Sequence, residues 1–100
     1  PILKIIWFNM NERNNPELRE ELSGSFGSDL LFADGFDDSI IGVSIGCDSG
    51  RVIYDTEKMA ETLVADDGMT HQEAWEFLEF NTFSAYVGEN TPIYLSTLDY

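Results

Sequence analysis

Basic residues are scarce in this chain. Five Lys and Arg stand against nineteen Asp and Glu, for a formal net charge of −14 at pH 7. The bases sit early (Lys4, Arg13, Arg19) or alone (Arg51, Lys58). Asp66–Tyr100 therefore holds seven acids and no base, and Asp29–Gly50 holds five acids and no base. Such a surface repels nucleic acid and anionic lipid, so direct nucleic-acid binding and membrane-surface binding are set aside, and basic partners are favoured. Cysteine is almost absent. Cys47 stands alone, no internal disulfide can form, and a reducing compartment is expected. Cys47 itself reads as a small buried apolar side chain. Histidine occurs once, at His71. A lone His cannot build a His-rich metal cluster, and any nucleophilic triad would have to rest on it.

Long hydrophobic runs are missing too. ILKIIWF at residues 2–8 is too short to span a bilayer, carries Lys4 and lacks a small-residue cleavage pattern. Pro1 reads as a start from which methionine was removed. No phosphate-cradling loop is present, because GSFGSD lacks the following Lys and the strand–helix frame. No other pattern calls for a cofactor, and none is expected.

What is present suffices for one core. One hundred residues at 43% hydrophobic content predict a single domain and exclude disorder. Residues 15–95 read as the core and residues 1–14 as an N-terminal strand or extension. In the segment 2–8, Leu3, Ile5 and Trp7 share one face of a strand; the alternative is a docking segment. Asn15-Pro16-Glu17 starts a helix with a capping side chain, Pro at the first helical position and an acid in the first turn. Gly24 is expected to end it. Leu30–Ala33 reads as a short strand.

Residues 40–46 and 51–54 flank CDSG as a hairpin, with Gly42 and Gly46 marking a bulge or a close backbone contact. Asp55 or Thr56 caps a helix to about Asp66, burying Met59, Leu63 and Val64. Thr70 and Glu73 form a capping box for a helix over 71–83, with Ala74, Phe77, Leu78 and Asn81 on one stripe and Trp75, Phe80 and Phe83 widening it. Pro92 opens a final strand. The sum predicts an α+β fold: a small antiparallel sheet, from hairpin 40–54 plus the C-terminal strand, with two or three helices packed on one face.

The stretch most like chemistry is ADGFDDSII at residues 33–41. Asp34, Asp37 and Asp38 crowd into five positions. An EF-hand loop counted from Asp34 fails, with Phe36 at position 3 and Ser39 at position 6. A turn explains the same letters: Asp34-Gly35 favours a positive φ, and the following acids can accept from nearby backbone N–H groups. Glu73, Glu76 and Glu79 share part of one helix face, which reads as a wet face rather than an acid–base pair. No catalytic residue is assigned. YVGENTP reads as a helix end and a turn, or as a recognition loop displaying Tyr86, Glu89, Asn90 and Tyr94.

Three stretches, DLLFADGFDDSIIGV (29–43), RVIYDTEKM (51–59) and FLEFNTFSAYVGENTPIYL (77–95), resemble a family of small acidic proteins of tailed bacteriophages and prophages. The resemblance covers about Glu17 to Leu95, and FNTFSAYVGENTP is its most specific part. That family has no assigned activity, so no catalytic role is carried over. The resemblance implies a phage gene product expressed in the host cytoplasm.

The expectation is an acidic, non-catalytic binding protein, an inhibitor of a basic host protein that handles nucleic acid or serves defence. Its DNA-mimic surface would comprise Asp34, Asp37, Asp38, Glu57, Glu61, Asp66, Asp67, Glu73, Glu76, Glu79 and Glu89. The alternative is a structural or assembly protein that self-associates as a homo-oligomer through Trp7, Phe8, Trp75, Phe80, Phe83 and Tyr86.

Overall fold

The computed structural model describes residues 13–97. The expected strand over residues 2–8 lies outside that range. Helix α1 spans Pro16–Phe26, and the Asn15 side chain accepts from the Leu18 N–H at 3.1 Å. The expected stop at Gly24 is not used. A glycine inside a helix costs about 1 kcal/mol but removes no hydrogen bond. The chain leaves the helix at Gly27 instead, at φ 112°, where only glycine is unstrained.

Leu30–Ala33 is irregular rather than a strand. Its backbone is satisfied another way, since the Ala33 N–H donates to the Tyr54 hydroxyl at 2.7 Å. Gly35 takes a φ of 91°, as the Asp-Gly turn requires. A single 3₁₀ turn over Asp37–Ser39 then delivers strand β1, Ile40–Val43.

β1 pairs antiparallel with β2, Val52–Asp55. Ile40 faces Tyr54 while Gly42 faces Ile53, so one extra residue is accommodated between them, and the bulge expected at Gly42 is present. Asp55 caps helix α2, Thr56–Asp67, accepting from the Glu57 and Lys58 N–H groups. Gly68 closes it in the left-handed conformation. Helix α3, His71–Leu78, opens on the complete Thr70–Glu73 capping box. It continues as a π turn over Glu79–Phe83.

Strand β3, Ile93–Leu95, joins the other side of β2 in parallel. The sheet is therefore mixed, not wholly antiparallel. The reason is the connection: α2 and α3 together form a crossover, and a crossover of that length returns the chain for parallel entry. Among the described residues the architecture is α+β, a three-stranded sheet with three α-helices.

One buried cluster unites these elements: Leu30, Phe36, Val52, Tyr54, Met59, Ala60, Leu63, Ala74 and Leu78. Alternation along β2 puts Val52 and Tyr54 on its buried face, and spacing of four on each helix pairs Met59 with Leu63 and Ala74 with Leu78. Three expected core members lie at the surface instead: Val64, Phe80 and Cys47 are exposed. Val64 lies one residue past Leu63, beyond the width of the apolar stripe. Phe80 falls in the π turn, and Cys47 in a 3₁₀ turn of the hairpin connection. Among the described residues no helix is long and apolar enough to cross a membrane.

Candidate protein-binding surface

The acidic turn at residues 34–38 is a socket for arginine. Asp37 is buried, and its carboxylate takes both arms of Arg19, with Nε to Oδ2 at 2.7 Å and Nη2 to Oδ1 at 2.9 Å. The Asn15 N–H adds a third donor at 2.7 Å. This bidentate geometry is the strong form of a charged hydrogen bond. Its hydrogen bonds to Asp37 hold the Arg19 guanidinium above its ordinary pKa, against a smaller opposing effect of burial. Arg19 also reaches exposed Asp34 at 3.2 Å and lies 4.8 Å from the centre of the Phe32 ring.

Arg13 does the same for the next segment. Its Nε donates to the Gly35 carbonyl at 2.9 Å, and Nη2 reaches Asp67 at 3.3 Å. Asn14 completes the joint, accepting from the Gly35 N–H at 2.6 Å and from Arg19 Nη2 at 2.9 Å. The polar residues of 13–19 thus fasten α1 to the acidic turn and to the end of α2. Asp37 leaves the expected binding set because it is buried and spent on Arg19. Asp34 and Asp67 are engaged by arginine as well. Asp38 and Asp66 remain exposed, Asp66 with Arg13 Nη1 at 3.9 Å.

This use of arginine sharpens the outer charge. Among the described residues, Arg13, Arg19 and Arg51 are all partly buried. Among the described residues every exposed Asp, Glu, Lys or Arg side chain is then a carboxylate except Lys58. Glu57 and Glu61 on α2, and Glu73, Glu76 and Glu79 on and beyond α3, are exposed as expected. Glu89 is exposed too, but on the turn before Asn90, whose amide donates to Gly50 in the hairpin. Among the described residues no group of three or more His, Cys, Asp or Glu side chains converges in metal-binding geometry.

A second feature adjoins α3. Trp75, Phe83, Tyr86 and Tyr94 line an open groove of about 600 Å³, with Arg51 and Thr91 in its wall. The rings form a chain anchored in the core. Trp75 and Phe83 meet edge to face at 5.8 Å, Phe83 and Tyr94 lie at 5.0 Å, and Tyr94 stacks on buried Tyr54 at 5.7 Å. Burial raises the pKa of the Tyr94 phenol. Arg51 is fixed by its Nε–H to the Thr91 carbonyl at 2.6 Å. The sequence flagged these aromatics for self-association and for a recognition loop, but spacing gives no sign that residues 51, 75, 86 and 94 meet. Comparison with family models, curated proteins and solved structures finds no match to this chain.

Proposed function

We propose that this chain is a bacteriophage binding protein that acts in the host cytoplasm, occupying the cationic groove of a host nucleic-acid-handling or defence protein. The observation that carries the reading is the division of charge. The arginines of the described chain are drawn inward, and its exposed Asp, Glu, Lys and Arg side chains are carboxylates apart from Lys58. The phage setting comes from the resemblance of residues 17–95. Duplex DNA carries one charge per about 1.7 Å, so a net charge of −14 equals roughly 24 Å of duplex, or about seven base pairs. Such a surface speeds capture of a Lys/Arg groove and makes it strongly salt-dependent.

Affinity capture from bacterial lysate at low and high salt tests the reading, followed by competition between this chain and duplex DNA for the purified captured protein. The expected result is capture at low salt only, displacement of DNA, and loss of both on combining Glu73→Lys with Glu76→Lys. Capture indifferent to salt and to the reversals would overturn it.

A further inference from the structure

We propose that the Trp75–Phe83–Tyr86–Tyr94 groove receives one neutral aromatic or aliphatic side chain from a basic protein segment, which gives the anionic surface a point of anchorage. The inference rests on the proposed binding of basic partners and adds the site that would slow their release. Its walls are held before binding. The ring chain from Trp75 through Phe83 and Tyr94 ends on Tyr54, which is fully buried, so little ordering cost remains for a ligand. Tyr86 stands at the mouth, 78% exposed, with an apolar body and a polar tip suited to an interface. The volume, about 600 Å³, is in the range of sites that enclose a small group.

Charge selects the occupant. Arg51 in the wall repels a cationic side chain at the centre. One exposed carboxylate adjoins the lining in space, and two more stand on chain segments that supply it. Glu57 follows Thr56 and bonds His71, itself in contact with Trp75. Glu79, exposed, begins the π turn that supplies Phe83. Glu89 precedes Asn90 and Thr91. An apolar, cation-repelling centre with acidic residues on the flanking segments is complementary to an apolar residue set between lysines or arginines.

The probe is a Lys₃-Phe-Lys₃ peptide beside its Lys₃-Ala-Lys₃ counterpart, titrated into the full chain at low salt with NMR detection. The Phe peptide is expected to bind about tenfold tighter, by burial of its ring. Its shifts should centre on the Trp75 indole and residues 84–86 and 94. Tyr86→Ala should remove the preference while leaving affinity for the Ala peptide unchanged, and Ile45→Ala, an exposed site on the hairpin connection, should leave both unchanged. Equal salt-dependent binding of the two peptides would overturn the groove assignment and leave the anionic surface standing. Failure of both peptides to bind would overturn both. Light scattering covers the remaining occupant: a dimer that Tyr86→Ala converts to monomer would give the groove to a second copy and overturn the proposal.

Discussion

The Arg19–Asp37 joint and the Trp75–Tyr94 groove are held by opposite means. At the joint, charge is drawn in and fully used: one carboxylate meets a guanidinium and a backbone N–H, and nothing is left to offer a partner. At the groove, rings brace one another and leave a concave apolar surface open. The acidic turn is therefore partly structural, and a less conspicuous set of aromatics has the shape of a site. The number of carboxylates in a segment says little about how many are available. What decides is whether an arginine elsewhere in the chain has claimed them.

The comparison breaks most readily at Asp37. Asp37→Ala would leave Arg19 without its principal partner, and breaking a largely buried pair costs about 3 kcal/mol. For a chain of this size that lowers Tm by roughly 12–20 °C. Asp38→Ala, one residue on and exposed, should change stability by less than about 0.5 kcal/mol. Thermal denaturation of the pair checks the contrast, and equal losses would mean that the joint is not the bracing element.

Alkaline pH tests the other region. Burial raises the pKa of Tyr54 strongly and that of Tyr94 as well. A phenol whose pKa is raised on folding keeps its proton longer in the folded chain than in the unfolded one. Its contribution is fully present below about pH 10 and is lost as pH rises through the folded value. Stability should fall by about 1.4 kcal/mol per pH unit above pH 10 on account of Tyr54, with a smaller addition from half-buried Tyr94. Denaturant midpoints between pH 9 and 11.5 report it. Tyr54→Phe separates the terms. At neutral pH it should cost about 1–2 kcal/mol, because the Ala33 N–H loses its acceptor, and it should flatten the alkaline decline.

These contrasts mark what the sequence could tell. Helix starts were legible because they obey rules of a few residues: Asn15 before Pro16, Asp55 before α2, and Thr70 with Glu73. The bulge at Gly42 was legible for the same reason. The Arg19–Asp37 pair spans eighteen positions, and no local pattern announces which of the acids at 34, 37 and 38 will be taken inward. The direction of β3 depends on how α2 and α3 cross the sheet, which strand propensity does not encode. The groove draws on β2, α3, the π turn and β3, so its residues come together only when the crossover closes.

Phe80 shows the smallest effect and the clearest limit of periodicity. Reading residues 71–83 as a widened apolar face puts Phe80 in the core, where burial of a phenylalanine would make its loss costly. Phe80 stands two residues beyond buried Leu78, about 200° round the helix, so its ring points out at 87% exposure, while Phe83, at the end of the π turn, turns in against Trp75 and Tyr94. An exposed ring contributes little to folding. Phe80→Ser should therefore alter the denaturation midpoint by less than the equivalent of about 0.5 kcal/mol. A loss above about 2 kcal/mol would indicate that Phe80 is packed inside, and would contradict the arrangement in which Phe83, rather than Phe80, forms the groove wall.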